Sequence, residues 1–201
     1  MNVDLGQAAD IEVIRHGTQA IVEALASPRG RFVVEHWRNG KRINEYHFPN
    51  AINNEGKNKL LNVMFHGATP ITTWWLGLID NNNYSALAVT DDYADINQAA
   101  NGWREFTAYT DDANGANATT RPSWGVGAAS AQSVTNATPS VFDLTSAGTV
   151  KGIFLVGGIA NAQTKNDHTA GGALWATALF NSGDVVVANG DQLKVTYTVS
   201  A

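Results

Sequence analysis

Apolar and polar residues alternate strictly near the C-terminus, where apolar residues take every second position of DQLKVTYTVS. This period of two predicts a strand with one buried face and one face in water. Similar β-rich runs, QSVTNATPSVFDL, TVKGIFLVGG and GGALWATALF, are separated by turn residues. The whole chain predicts about seven or eight strands without βαβ alternation. We therefore expect a mainly β fold, an antiparallel β-sandwich of jelly-roll or Greek-key type with one central helix.

The segment RFVVEHWRNGKRINEYHF predicts a β-hairpin, because Asn39-Gly40 tolerates the positive φ angles of a two-residue type I′ turn. Counting outward from this turn pairs Trp37 with Arg42, and then Val33 with Tyr46. The first pair is placed for a cation–π contact. Since neither face of the hairpin is purely apolar, we expect it at a sheet edge or beneath another segment.

A helix and a strand with two apolar faces are predicted next. The run from Glu55 to His66 predicts about three helical turns, with Asn53 or Asn54 as N-cap and Gly67 as the stop signal. Its apolar residues are Leu60, Leu61, Met64 and Phe65. The following segment, TPITTWWLGLID, has apolar residues on both faces of a strand. Burial between two layers explains this pattern, and it assigns the paired tryptophans to the core.

The first thirty residues have a different pattern. Between residues 8 and 25, apolar positions recur at spacings of three, four and seven, which places them on one helical face. These residues are candidate partner contacts: Ile11, Ile14, Ile21, Val22 and Leu25. Pro28 and Gly30 end the pattern. We therefore expect an N-terminal helical arm over residues 1–30 and a β-sandwich domain over residues 31–201. The arm either packs on its own domain or reaches a neighbouring subunit.

Composition narrows the class of protein. The chain has 201 residues, of which 44% are hydrophobic, and a formal net charge of -5. An acidic chain lacks the basic surface that binds nucleic acid through phosphates, so no nucleic-acid partner is expected. The absence of cysteine excludes disulfides, thiolate metal sites and a catalytic thiol. No signal sequence and no long apolar run are found, so we expect a soluble protein made in the cytoplasm, without a membrane partner.

Catalytic and metal-binding motifs give no positive signal. The five histidines lack the close spacing of metal ligands. The sequence DDYAD, residues 91–95, offers oxygen ligands for calcium but lacks the rest of an EF-hand loop, so solvated loop acids are the preferred interpretation. No serine elbow or phosphate-binding loop is present, and acid pairs such as Asp80 with Glu105 are interpreted as scattered surface acids. We therefore predict no enzyme, no cofactor and no metal.

The six tryptophans are spread over separate β segments, and burial in the core explains most of them because each indole buries a large apolar area. Trp124 is the exception. It lies in the glycine-rich stretch RPSWGVG, and it is a candidate contact for a protein partner or a glycan.

Four motifs in residues 30–201 resemble a group of structural proteins from tailed-bacteriophage virions. These are N-E-G-x-N at Asn54 to Asn58, F-H-G at Phe65 to Gly67, W-x-G-L-I at Trp75 to Ile79, and G-D-x-L-x-V-x-Y at Gly190 to Tyr197. All four are structural motifs and contain no catalytic residue. The first thirty residues fall outside the likeness.

The resemblance implies a capsid cement, or decoration, protein located on the virion surface after synthesis in the host cytoplasm. Its partners would be the major capsid protein or other virion proteins. Such a protein stabilises the shell by binding only its assembled form. A homo-oligomer, dimer or trimer, is expected, since edge strands and an apolar arm both need covering. The alternative is a tail, baseplate or fibre component that binds a partner or a host glycan.

Overall fold

A computed structural model describes residues 28–201 except residues 83, 99–100, 112–116, 159, 167 and 169–170. Within these residues the fold is mainly antiparallel β with a single α-helix, as the sequence predicted. The predicted arm falls almost wholly on residues 1–27, outside the described residues. The strands are β1 (Arg29–Arg38), β2 (Lys41–Ile52), β3 (Trp74–Asp80), β4 (Glu105–Phe106), β5 (Tyr109–Asp111), β6 (Ser133–Thr135), β7 (Ser140–Leu144), β8 (Gly148–Gly157), β9 (Ala173–Leu179), β10 (Val185–Val187) and β11 (Gln192–Ser200). Helix α1 (Asn54–Phe65) follows β2.

The strands form one sheet in the order β4-β3-β8-β9-β2-β1-β11-β7-β5, while β10 pairs with β8 and β6 with β11. Strands β4 and β5 lie at opposite ends of this path, yet only Thr107 and Ala108 separate them in the chain. The two ends of the sheet therefore come together, and the sheet is nearly closed and barrel-like. The predicted sandwich is not confirmed. Its signature, short strands with alternating residues, is the same for one curled sheet as for two layers.

A buried ion pair lies at this closure. Glu105 of β4 receives hydrogen bonds from Arg121 Nε and Nη2, both at 2.8 Å, and both side chains are fully buried. The same carboxylate accepts the Tyr109 hydroxyl of β5 at 2.9 Å and the Asn166 backbone N–H at 2.8 Å. Arg121 also donates to the Ala162 carbonyl at 2.7 Å. Burial and the neighbouring Glu105 charge raise the pKa of Tyr109 well above its ordinary value. Glu105 was predicted to be a surface acid, and that prediction is wrong, because its side chain is fully buried. It ties both ends of the sheet to two loops.

Two apolar cores lie on opposite faces of the sheet. The main core fills the inside of the curl and draws on most strands, with Phe32, Phe142 and Tyr197 among its buried rings. The second core covers the outer face of β3 and β8, where residues 84–96 and Trp103 pack over Trp75 and Phe154. Strand β3 is therefore buried on both faces, as its sequence pattern predicted. The long loop after β3 covers this second core with Tyr93 and Ile96.

The β1–β2 hairpin confirms its predicted turn and corrects its predicted register. Asn39 and Gly40 have φ angles of 51° and 72°, and Trp37 pairs with Arg42 as expected. A bulge at His36 and Trp37 then shifts the pairing by one, so that Val33 lies opposite His47 instead of Tyr46. The shift puts Tyr46 into the main core. The expected cation on Trp37 is also different: Lys194 of β11 lies 4.4 Å from the ring centroid, while Arg42 pairs with Glu35.

Candidate functional site

An apolar groove opens onto the main core between α1, β3, β9 and the C-terminal end of β11. It has a volume of about 490 Å³. Only Gln132 and Ser133 bring polar side chains to it. Its main apolar residues are Leu60, Trp74, Trp124, Leu155, Trp175 and Val199. Pro28, the first described residue, and Ala201, the last, also line it. An open groove of this composition is typical of a binding surface for an apolar partner.

Three indoles shape this groove, and the sheet holds each in place. Trp74 and Trp175 meet edge to face with ring centroids 5.9 Å apart. Trp124 donates its indole N–H to the Tyr197 carbonyl at 3.1 Å, and Trp175 donates to the Tyr197 hydroxyl at 3.1 Å. That hydroxyl donates in turn to Asn50 at 3.3 Å, and burial raises the pKa of the Tyr197 phenol. Trp124 and Trp175 are therefore pre-positioned, because their indole N–H groups are already bonded within the protein, and Trp74 packs against Trp175.

Helix α1 is fastened beside the groove by its first turn. Glu55 accepts backbone N–H bonds from Tyr93 at 2.9 Å and from Leu174 at 2.7 Å. Burial raises the pKa of this carboxyl, and the two N–H bonds oppose that rise. At Gly56 an added Cβ would lie 2.8 Å from the Trp175 carbonyl oxygen, so only glycine allows this close approach. The N-cap residue Asn53 uses its amide on the Ala88 and Asp91 carbonyls rather than on the helix.

Three apolar side chains of α1 are more than half exposed. Leu61, Met64 and Phe65 are 53%, 65% and 81% exposed. At 100° per residue, Leu61 and Phe65 lie about 140° and 180° from Gly56 and point away from the sheet, while Met64, at about 80°, lies on the flank of the helix. Gly56 is the buried residue of this helix. We call Leu61, Met64 and Phe65 the outer face of α1.

The structure places the sequence-predicted contacts as follows. The arm residues Ile11, Ile14, Ile21, Val22 and Leu25 lie outside the described residues. Trp124 is 6% exposed and lines the groove, and its contact with a partner stays a prediction. Trp74 and Trp175 were predicted to lie in the core. The exposure of Leu61, Met64 and Phe65 was not predicted. The helix residues Leu60, Leu61, Met64 and Phe65 span about 140° of its circumference, which is an ordinary width for a buried stripe, so the sequence pattern does not indicate their exposure.

The acidic residues of DDYAD hold their own loop together, and Asp91 is buried instead of solvated as predicted. Asp91 accepts the Trp103 indole N–H at 3.0 Å, and Asp92 and Asp95 form a capping box around the 3-10 turn Tyr93–Asp95. Within the described part of the chain, no group of three or more His, Asp or Glu side chains is placed to hold a metal ion.

Asp191, from the motif G-D-x-L-x-V-x-Y, binds the β1–β2 hairpin close to its turn. It accepts two hydrogen bonds from Arg38, both at 2.7 Å, and lies 2.8 Å from His36 Nε2. The Arg38 hydrogen bonds are the largest cause that lowers the pKa of Asp191 well below its ordinary value, and the Ala188 N–H and His36 add to it. This motif therefore has a structural role at the hairpin.

Comparisons with known proteins find no relative of this chain. The chain matches no protein-family model, no curated protein and no solved structure. Among the described residues, no helix has the length and apolar character needed to cross a membrane.

Proposed function

We propose that this chain is a structural protein of a bacteriophage virion, a capsid cement protein that binds the shell through the outer face of α1. The single observation that carries the proposal is that this exposed apolar face belongs to a firmly attached helix. Exposed apolar surface on a fixed element is typical of protein–protein contact. The phage assignment rests on the resemblance of the four motifs.

The resemblance and the outer face support each other. The motif N-E-G-x-N supplies Glu55 and Gly56, which hold α1 against β9 and the loop after β3. The motif F-H-G supplies Phe65, the most exposed apolar side chain of the helix. Both motifs therefore act on one element: the first attaches the helix and the second ends it at the exposed ring.

The size of the outer face fits a weak site repeated many times. Burying the exposed parts of its three side chains would contribute about 3 to 6 kcal/mol, at roughly 1.5–3 kcal/mol for each fully buried side chain. A micromolar complex needs about 8 kcal/mol. The outer face thus supplies a large share of one contact, and contacts repeated over a shell add through avidity.

The test is co-sedimentation of the purified protein with empty expanded shells of the phage that encodes it. We expect saturable binding at micromolar concentration and a higher melting temperature of the shells. The double variant Leu61→Ser with Phe65→Ser should lose about 100-fold in affinity, as the removal of about 3 kcal/mol predicts. The matched control is Val186→Ser on β10, which also removes an exposed apolar side chain, 70% exposed. It should bind as the wild type does.

Two results would contradict the proposal. If the protein does not co-sediment with the shells at micromolar concentration, the proposed capsid function is contradicted. Equal binding by the double variant and the wild type would remove the outer face as the contact. Immunogold labelling of intact particles provides the location: label confined to the tail would overturn the capsid assignment in favour of a tail, baseplate or fibre component.

A further inference from the structure

The tryptophan-lined groove lies on the other side of α1 from its outer face, and its apolar surface is exposed to solvent unless another segment covers it. Three indoles and the β11 end form an open apolar surface next to the main core. A smaller pocket of about 150 Å³ lies beside the groove and shares Leu60, Trp74 and Trp175 with it. Lys59 and Ile71 also line this pocket. Apolar surface of this extent is stabilised by any apolar segment that covers it.

The chain itself leads into the groove. Pro28 lines it, and β1 begins at the next residue, paired with Ser200 of β11. Residues 1–27 are therefore attached at the wall of the groove. Leu25 is three residues before Pro28, so even a fully extended chain keeps it within about 10 Å.

The sequence of this segment complements the groove. Its apolar stripe recurs at helical spacing and ends next to the attachment point, with Ile21, Val22 and Leu25 as its last members. The segment has four acidic residues and a single basic residue, Arg15. Helix α1 presents the exposed Lys59 at the smaller pocket beside the groove. Apolar contact and opposite charge thus favour the same pairing.

We propose that residues 1–27 fold back onto their own chain and fill the groove with Ile21, Val22 and Leu25. The short tether favours this occupant over another copy, because it holds the stripe at an effective concentration in the millimolar range. The inference is independent of the proposed function, which uses the outer face of α1.

The absence of native cysteine permits a direct test in the full-length chain. Leu25→Cys is combined with Ser133→Cys, a near-isosteric change at the groove rim. Under mild oxidation we expect an intramolecular disulfide, seen as a mobility shift of the monomer and confirmed by mass spectrometry. The matched control combines Leu25→Cys with Val186→Cys, an exposed position on β10, and should give no such bond. The bond is reported relative to this control because a mobile segment would cross-link to both positions.

Tryptophan fluorescence provides a second measurement, because residues 1–27 contain no tryptophan while three of the six tryptophans line the groove. The full-length variant Val22→Asp with Leu25→Asp should show a red-shifted emission maximum. Its melting temperature should fall by about 5–10 °C, as expected for a loss of 2–3 kcal/mol in a chain of this size. Val186→Asp is the control and should change neither.

Each other outcome overturns the inference. A disulfide between two chains would show that the groove receives the segment of a second copy. Equal cross-linking to Ser133→Cys and Val186→Cys would show that the segment has no fixed site. An unchanged emission maximum in the double aspartate variant would show that its stripe does not cover the indoles. If that variant fails to fold by circular dichroism, the cysteine pairs decide the question alone.

Discussion

Removing the charge of Glu105 should strongly destabilise the fold, because this carboxylate holds the two ends of the sheet together. It accepts four hydrogen bonds, two of them from Arg121, whose side chain is also fully buried. In Glu105→Gln the shape is kept, but the buried guanidinium loses the carboxylate that accepts two of its hydrogen bonds. An arginine guanidinium stays protonated in proteins, so Arg121 cannot shed its proton to avoid that cost.

The expected loss is about 3 to 5 kcal/mol, the range for breaking a buried ion pair by removing one partner. A Coulomb attraction of about 4 kcal/mol at 4 Å and an effective dielectric of 20 agrees with it. In urea denaturation, with a slope of about 2 kcal/mol per molar, the midpoint should fall by about 2 M. The loss should change little in 0.5 M salt, since buried charges are weakly screened.

Two further variants make the prediction specific. Asp184→Asn removes the partner of Lys151 in a partly exposed pair at 2.8 Å and should cost no more than about 1 kcal/mol. Adding Arg121→Met to Glu105→Gln should recover part of the loss, because the buried guanidinium is then replaced by an apolar side chain. If Glu105→Gln is no more destabilising than Asp184→Asn, the ion pair does not hold the closure and the reasoning is refuted.

Two other predictions concern the motifs. The pKa of Asp191 is lower in the folded than in the unfolded protein, so its stabilising contribution is complete above the unfolded pKa of about 4 and is lost as pH falls below it. Asp191→Asn should therefore lower the melting temperature at pH 7 and flatten its decline below pH 4 (about the unfolded pKa); a wild-type decline at acid pH would contradict this. Gly56→Ala should cost about 1–3 kcal/mol in urea denaturation, because its Cβ would press on the Trp175 carbonyl. Gly125→Ala, which meets nothing within 4 Å, should be neutral, and equal losses in the two variants would exclude this steric cause.

Local features of the fold were predictable because each depends on residues close in sequence. Asn39-Gly40 favours one turn type whatever surrounds it, and the turn has the predicted positive φ angles. The helix predicted from Glu55 to His66 is observed at Asn54–Phe65. The bulge at His36 was not predictable, since the demand for Tyr46 in the core comes from strands far along the chain.

The candidate site was less predictable for the same reason. Trp74, Trp124 and Trp175 line one groove although 50 or more residues separate each from the next in sequence. A sequence pattern reports that an indole is apolar, but it does not distinguish the interior of a sheet from the wall of a groove. Strands β4, β5, β6 and β10, two or three residues long, are also too short to show periodicity.

The sequence by itself determined that the described part of this protein is mainly antiparallel β, with a helix after β2, a tight hairpin and a strand buried on both faces. It did so through the periods of two and 3.6 residues and through turn chemistry, all of which act between near neighbours. Only the tertiary structure decided that the sheet curls until β4 and β5 meet, and that Glu105 pairs with Arg121. It also decided that three indoles far apart in sequence form a groove beside Pro28. Those outcomes depend on the twist and closure of the whole sheet, which local alternation leaves undetermined.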